Sequence, residues 1–272
     1  MDRAIEGETA RDDRRDPVLV DHAAGVLTLT LNRPEQFNAL SDEVLADLLA
    51  AFEGCAQDED LRAVVIAARG RAFCAGHDLK QMRGHAGDRD YYLSLFRRCG
   101  RLMQAIVHCP VPVIARVHGT ATAAGCQLVA SCDLAVASDA ARFAVSGINV
   151  GLFCSTPAVA LTRNIALKNA FEMLVTGHFV SADQARAYGL VNHVVPEAQL
   201  DAAVGGLVEA IKSKSPLAVR VGKSMVQRQL GMDLAQAYEY AAEVMAGNMM
   251  AEDVGEGIDA FIEKRPPRWR GR

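Results

Sequence analysis

The sequence predicts an α/β fold followed by a helical extension, and three observations support this prediction. Short β-rich runs alternate with segments of helical period through the first two thirds of the chain, and only helical segments follow Pro196. The run Ala63 to Ala67 is continuously apolar, as expected for a strand covered on both faces. No long Pro/Ser-rich linker separates the two parts, so we expect one domain with the helices appended.

The composition is that of a globular protein. Half of the 272 residues are hydrophobic, and the formal net charge at pH 7 is −4. This mild charge gives no electrostatic reason to expect nucleic acid as a partner. Since no apolar run approaches membrane-spanning length, we expect no membrane partner either.

The cysteine pattern predicts a reducing compartment. The seven cysteines are an odd number, none stands in a CxxC pair, and we find no signal peptide before them. We therefore predict a cytoplasmic protein. The histidines and cysteines show no metal-ligand spacing, so we expect no metal.

Residues 1–16 are predicted to be a disordered arm. They contain six acids and four arginines and no apolar patch, so they cannot bury a face. They also lack the acid-poor, amphipathic character of an organelle presequence.

The first elements after this arm are a hairpin and a helix. Val18 to Val20 and Val26 to Leu31 are β-rich runs on either side of a turn. Pro34 ends the second strand, because it lacks a donor and holds its predecessor extended. Ser41 is a good N-cap for a helix with one buried face. The apolar residues of that face are Val44, Leu45, Leu48, Leu49 and Phe52.

Two turns of small residues follow apolar strands. The first runs from Arg69 to Lys80, after the strand 63–67. We interpret 82–90 as a mobile loop and 91–107 as a long helix. The second turn is 118–123, after the apolar run 111–117, and it opens a helix near Ala124. Free backbone N–H groups at that helix start favour the binding of an oxyanion. A close-packed turn that binds no ligand would have the same sequence pattern.

The remaining chain predicts two further strands and a series of helices. Leu134 to Ala137 and Asn192 to Val195 are predicted strands, and Ala158 to Ile165 is a predicted helix. Ser181 to Gln184 is a capping-box pattern for a short helix that ends near Gly189. Four helices complete the chain at 198–212, 216–229, 234–248 and 254–264.

Five motifs, in their order along residues 18–264, resemble those of the crotonase superfamily, the enoyl-CoA hydratase/isomerase family. They comprise Asn32-Arg33-Pro34 with Asn38-Ala39-Leu40, the segments 70–80 and 112–119, Cys132-Asp133-Leu134, and Ala185 with Gly189-Leu190-Val191. The resemblance implies a spiral of β-β-α units that forms two sheets, followed by helices that assemble trimers, often paired into hexamers. We accordingly divide the chain into the arm 1–16, a spiral core 17–200 and a helical oligomerisation region 201–272.

The same resemblance implies a coenzyme A thioester as the ligand. Coenzyme A then enters as part of the substrate, and we expect no separately bound cofactor. In this family the thioester carbonyl lies between two backbone N–H groups, which correspond here to those of His77 and Ala124. The substrate positions implied beside them are Ala75, Asp78, Leu79, Lys80, Gly119 and Phe153. Lys80 and Lys264 would lie near the nucleotide phosphates, with a solvated lysine as the alternative for each.

The sequence departs from the family at the proton-transfer residues. Hydratases of this family use two glutamates to activate water, and these positions are occupied here by Gln127 and Gly147. An amide cannot take a proton at neutral pH and glycine has no side chain, so standard hydration is not supported. No Asp or Glu occurs between Asp139 and Glu172. The segments 123–128 and 151–157 look more like the branch named enoyl-CoA hydratase domain-containing protein 3.

Four other residues are candidates to replace the missing glutamates. His77 could project an imidazole toward the pocket, or its turn could need only the backbone N–H. Cys126, Cys154 and Ser155 are weaker candidates for covalent catalysis, because no adjacent His or GxSxG elbow accompanies them. His118 fits a structural role. The terminal basic cluster lacks interleaved aromatics apart from Trp269, so we interpret it as a solvated tail or a phosphate site rather than an RNA site.

Two functional hypotheses remain open from sequence. The first is an enzyme acting on an acyl-CoA or enoyl-CoA thioester, by isomerisation or hydrolysis rather than by addition of water. The second is a non-catalytic acyl-CoA-binding or assembly protein that kept the scaffold. In both cases the predicted partners are an acyl-CoA thioester and further copies of the chain, as a homotrimer or homohexamer.

Overall fold

The computed structural model describes residues 16–272. The predicted disordered arm at 1–16 lies outside the described residues, apart from Asp16. Within the described part, the strands are β1 (Val18–Ala23), β2 (Val26–Leu31), β3 (Ala63–Ala68), β4 (Ala72–Cys74), β5 (Val113–Val117), β6 (Thr120–Thr122), β7 (Leu134–Ser138), β8 (Arg142–Ala144), β9 (Val180–Ser181) and β10 (His193–Val195).

The helices alternate with these strands and then continue alone. They are α1 (Asp42–Gly54), α2 (Leu79–Gly84), α3 (Arg89–Val107), α4 (Ala124–Ser131), α5 (Ser155–Asn164), α6 (Leu167–Thr176), α7 (Ala182–Tyr188), α8 (Leu200–Lys212), α9 (Pro216–Gln229), α10 (Leu234–Met249) and α11 (Glu252–Glu263). Short 3-10 helices lie at Pro34–Gln36, Ser146–Val150 and Glu197–Gln199.

The strands form two sheets. The larger sheet has the order β1-β2-β3-β5-β7-β10, and the smaller has the order β4-β6-β8-β9. The β1–β2 pair is antiparallel, and the other pairs of the larger sheet are parallel. Successive units contribute one strand to each sheet and then a helix, as in β3-β4-α2-α3 and β5-β6-α4. This is the β-β-α repeat that the resemblance implies.

The smaller sheet positions the candidate site. Its strands β4, β6 and β8 are adjacent and parallel, so their carboxyl ends meet at one edge of the sheet. Immediately beyond these three ends come the turn that holds His77, the start of α4 at Ala124, and the 3-10 helix that holds Gly147. Three positions that are far apart in sequence therefore share one edge.

Several local predictions are confirmed. The hairpin joins β1 to β2, Ser41 caps α1 through the N–H of Val44, and Ser181 and Gln184 form a capping box at α7. The strand β3 is buried at every position, and the four C-terminal helices occur as α8 to α11.

The prediction of a loop at 82–90 is wrong in part. The carboxylate of Asp78 accepts hydrogen bonds from the N–H groups of Lys80 and Gln81, and this cap begins α2, which continues to Gly84. The long helix α3 then begins at Arg89, capped by Asp88. The sequence prediction also missed α6, and it placed β4 and β6 within turns.

The main core lies between the two sheets and the helices of the spiral, and α8 covers the other face of the larger sheet. There, Leu200 and Val204 of α8 pack with Val65, Ile114 and Val136. The helices α9 and α10 bury none of their residues in the single chain. Among the described helices, none combines the length and the apolar character that a membrane crossing requires.

Candidate active site

The first turn is held in place by the segment that precedes α1. Asn38, which is buried and has a φ of 53°, donates from its side-chain amide to the carbonyl groups of Arg69 and Ala72, at 2.8 Å each. The N–H of Leu40 donates to Gly76, and the N–H of Asp78 donates to Leu40. This clamp fixes the backbone on both sides of His77.

The second turn stores backbone strain at Ala123. This residue has a φ of 51° and a ψ of −120°, a conformation that a non-glycine residue rarely adopts. Such strain costs on the order of 1–3 kcal/mol and persists only where the surroundings impose it. The ψ of Ala123 sets the plane of the next peptide group, so it sets the direction of the Ala124 N–H. The strained residue therefore aims the amide that was predicted as an oxyanion donor.

The two turns touch each other. A methyl group on Gly76 would lie 2.9 Å from the Cβ of Ala123 and 3.2 Å from the amide nitrogen of Ala124. Gly76 has a φ of +95°, which also favours glycine. Since His77 directly follows Gly76, the amide groups of His77 and Ala124 belong to neighbouring segments.

The N–H groups of His77 and Ala124 are not used by the hydrogen bonds that hold the two turns. The bridge between Leu40 and His77 uses the groups of Gly76 and Asp78, not the N–H of His77. The first backbone bond within α4 runs from the N–H of Gln127 to Ala123, and no side chain in the described part of the chain caps this helix. The Ala124 N–H is therefore without an intrahelical partner. Two such donors can stabilise negative charge on a carbonyl oxygen.

Gln127 faces α3. It is 3% exposed, and its Oε1 accepts a hydrogen bond from the Sγ of Cys99 at 3.9 Å. The position of the first missing glutamate thus holds a buried amide beside a thiol, with no proton-transfer group of its own.

Gly147, at the position of the second missing glutamate, is closely packed by the loop that follows it. A Cβ on Gly147 would lie 2.5 Å from the Sγ of Cys154 and 2.8 Å from the carbonyl oxygen of Leu152. The N–H of Leu152 also donates to the Gly147 carbonyl at 3.0 Å. The returning loop therefore occupies the space that a side chain at residue 147 would need.

The imidazole of His77 packs against α3. Its ring packs edge-on against Phe96, with centroids 5.6 Å apart and an angle of 65° between the planes. Both ring nitrogens are buried, and among the described residues neither has a hydrogen-bond partner. Burial lowers the pKa of His77 from its ordinary value, whereas the backbone of Leu40 and the Asp42 carboxylate act in the opposite direction.

The thiols near the site are poor nucleophiles. Burial raises the pKa of Cys74, Cys99 and Cys126 to about 12 in each case, and it raises that of Cys154. The raised pKa values keep these thiols protonated near neutral pH. Because the thiolate is the reactive form, the protonated thiols are poor nucleophiles. This weighs against the covalent alternatives on Cys126 and Cys154.

Sequence reasoning missed two groups of residues at the site. Phe96 and Cys99 lie one turn apart on α3 and contact His77 and Gln127; the helical spacing of the long helix was the available signal. The hydroxyl groups of Thr122 and Ser146 also lie 2.7 Å apart, next to the two turns. No pattern in the sequence joins residues 122 and 146.

Five of the other predicted contact residues follow the carboxyl ends of β4 and β8, whereas Gly119 precedes the amino end of β6. Ala75, Leu79 and Lys80 flank the first turn, with the last two exposed. Asp78 caps α2 and also accepts a hydrogen bond from Arg33 at 3.4 Å. The remaining two are Gly119, which packs against the carbonyl of Arg71, and Phe153, which is 42% exposed in the loop before α5.

Lys264 caps the C-terminus of α11, and the rest of the terminal basic cluster follows that helix. Lys264 is an exposed C-cap whose N–H donates to Phe261, and no hydrogen bond among the described residues joins it to the two turns. The cluster is exposed apart from Arg265, as expected for a solvated tail, but it is held against the chain. Arg265 makes a bidentate pair with Glu256, and the indole N–H of Trp269 donates to Ser213. Acidic side chains of α11 hold the tail, a pattern that the tail sequence alone does not reveal.

Comparison with known proteins agrees with this architecture. The family model described as enoyl-CoA hydratase/isomerase matches residues 21–272. The chain is 47% identical to rat enoyl-CoA hydratase domain-containing protein 3 over 245 residues, which cover 90% of this chain and 81% of the rat protein. This likeness confirms the family and the branch that the sequence motifs suggested.

The expectation of a cytoplasmic protein is overturned by these relatives. The rat, mouse, frog and human proteins of this name, which are 44–47% identical to the chain, are all named as mitochondrial. Cysteine usage indicates a reducing environment, but it does not separate one reducing compartment from another.

Solved structures share the fold along nearly the whole chain. The enoyl-CoA hydratase of Mycobacterium smegmatis is 59% identical, with a TM-score of 0.91 and coverage of 93% of this chain and 98% of that one. Human enoyl-CoA hydratase domain-containing protein 3 is 45% identical, with a TM-score of 0.90 and coverage of 93% and 100%. With its β-β-α spiral and its paired small-residue turns, the chain belongs to the enoyl-CoA hydratase/isomerase family and has the crotonase fold.

Proposed function

We propose that this protein binds an acyl-CoA or enoyl-CoA thioester and moves protons next to the thioester carbonyl, without adding water. The observation that carries the proposal is the pair of N–H groups on His77 and Ala124, left over on two turns that touch. Removing a proton beside a thioester builds negative charge on the carbonyl oxygen. Fixed donors stabilise that charge without reorganising, and one such donor contributes roughly 10² to 10³ in rate.

The proposal excludes hydration because of the residues at two positions. Gln127 cannot accept a proton at neutral pH, and Gly147 packs against Cys154 and Leu152 with no room for a carboxylate. Hydration needs groups that activate water and protonate carbon, whereas an isomerisation can use one base in both directions. Isomerisation therefore fits the residues present better than hydration does.

The substrate class follows from family membership and from the names of the similar proteins, which are enoyl-CoA hydratases. Lys80 and Lys264 are the candidate contacts for the nucleotide phosphates. Lys80 is exposed at the start of α2, beside the first turn. Lys264 caps the C-terminus of α11 and has no hydrogen bond to the two turns among the described residues, so it would serve the site of a neighbouring copy of the chain.

A trimer or hexamer is part of this proposal. The single chain leaves large apolar side chains of α10 and α11 exposed, among them Tyr238 at 72%, Met245 at 72% and Phe261 at 86%. Exposed apolar surface of this kind is typical of a protein–protein interface. Association of several copies would cover it.

The test is turnover of a panel of acyl-CoA and enoyl-CoA thioesters by the purified chain, with calorimetric binding measured in parallel. We expect binding, isomerisation of 3-enoyl-CoA, and no hydration of 2-enoyl-CoA. Binding without any turnover would instead support the non-catalytic acyl-CoA binder, which the filled position at Gly147 also allows. Absence of binding would contradict both functions.

A further inference from the structure

We propose that the imidazole of His77 is the group that removes and returns the proton beside the thioester carbonyl. This inference rests on the proposed function and adds to it the base that the missing glutamates leave unassigned. It concerns the side chain of His77, whereas the oxyanion proposal uses only its backbone N–H.

The first argument is the unsatisfied state of the ring. Both nitrogens are buried, and the described residues offer a hydrogen bond to neither. Leaving a buried polar group unpaired costs about 1–3 kcal/mol. His118 provides the contrast, because its Nε2 lies 2.7 Å from the carbonyl oxygen of Gly70. Among the described residues His77 makes no bond of that geometry. The backbone of Leu40 interacts with the ring, and a single interaction leaves the other nitrogen for a ligand.

The second argument is position. The ring and the proposed donor N–H belong to the same residue, so an oxygen held by that N–H lies within a few bond lengths of the imidazole. The ring contacts Phe96, and the next turn of α3 brings Cys99 to Gln127. The imidazole therefore lies on the same face of α3 as the position of the first missing glutamate.

The third argument is elimination among the nearby groups. Gln127 and Gly147 cannot transfer protons, and the thiols of Cys99, Cys126 and Cys154 remain protonated. The carboxylate of Asp42 accepts from Arg98 at 2.8 Å, and that of Asp78 accepts from Arg33. Each of these acids already has a cationic partner.

The proposed step balances as follows. A ring nitrogen of neutral His77 takes a proton from the α-carbon, and the C–H electron pair forms a carbon–carbon double bond. The carbonyl π pair moves to the thioester oxygen, held by the N–H groups of His77 and Ala124. The imidazolium then returns the proton to the α-carbon or, in a 3-enoyl thioester, to the γ-carbon. No oxidant or further reactant is required.

The experiment measures exchange of α-hydrogen for deuterium in acetyl-CoA, 3-butenoyl-CoA and 3-hexenoyl-CoA by mass spectrometry, using the full chain. His77→Gln keeps the backbone N–H and removes the base. We expect it to lower exchange by at least about 100-fold, the usual contribution of a general base, with thioester binding changed less than about threefold. His193→Gln, on an exposed strand residue, is the matched control and should exchange like the wild type.

A second variant covers a failure of His77→Gln to fold. For His77→Ala, added imidazole should restore part of the exchange, which a merely structural histidine would not allow. Wild-type exchange in His77→Gln would overturn this inference and leave the proposed function standing. Binding without exchange by the wild type would overturn both this inference and the proposed proton transfer, and absence of thioester binding would remove the proposed function altogether.

Discussion

Gly125, at the start of α4, lies directly against the carbonyl group of Cys74 at the end of β4. The contact joins the helix that follows the second turn to the strand that precedes the first turn. A second close contact of this kind lies two residues after Cys74, where Gly76 packs against Ala123 and Ala124. The close approach of the two turns therefore depends on the absence of side chains at residues 76 and 125.

Gly125→Ala should disrupt this approach. The added methyl group would collide with a backbone carbonyl, which cannot move aside as a side chain can. We expect a loss of stability of about 1–3 kcal/mol from overpacking, with loss of thioester turnover, measured by chemical denaturation and by the thioester panel. The control is Gly205→Ala in α8, where no atom lies within 4 Å of the new methyl group. That variant should gain about 0.5–1 kcal/mol.

Restoring the glutamates should not restore hydration. In Gly147→Glu the new Cβ would meet Cys154 and the Leu152 carbonyl, so the loop 147–154 must move. We expect the double variant Gln127→Glu with Gly147→Glu to be less stable than wild type and not to hydrate crotonyl-CoA. A soluble, stable double variant that hydrates crotonyl-CoA would show that the space can open. Gln127→Glu alone is the control for the buried charge.

His77 should make stability depend on pH. Its pKa in the folded chain is lowered by burial, so the unfolded chain binds more protons as the pH falls through about 6.5, the ordinary value. The wild type should therefore lose stability between pH 7.5 and 5, and His77→Gln should lose less over the same interval. Thermal melts of both proteins across this range provide the measurement. Parallel pH profiles would contradict a histidine that is buried in its neutral form.

The apolar surface of the C-terminal helices should bring copies of the chain together. We expect sedimentation to give the mass of a trimer or hexamer at micromolar concentration. Tyr238→Lys with Phe261→Lys should shift the mass toward the monomer without loss of helical circular dichroism, because neither side chain is buried in the single chain. A wild type that sediments as a monomer would contradict the proposed assembly.

Much of this architecture could be predicted from local sequence, because the decisive interactions are local. Ser41 caps α1 three residues before its first buried position, and the spacing of small residues marks both turns. The helix α2 was missed, since the capping effect of Asp78 outweighed two glycines nearby. The filled space at Gly147 and the unpaired ring of His77 depend on contacts with Cys154 and Phe96. Such contacts between distant segments leave no periodic signal.

The central claim is that two backbone N–H groups hold the thioester carbonyl oxygen. The most direct measurement is isotope-edited infrared spectroscopy of crotonyl-CoA labelled with ¹³C at the carbonyl, under conditions where calorimetry shows saturation. Polarisation by the N–H groups of His77 and Ala124 should lower the carbonyl stretching frequency of the bound thioester relative to the free thioester in buffer. A saturated complex whose carbonyl frequency equals that of free crotonyl-CoA would contradict the account.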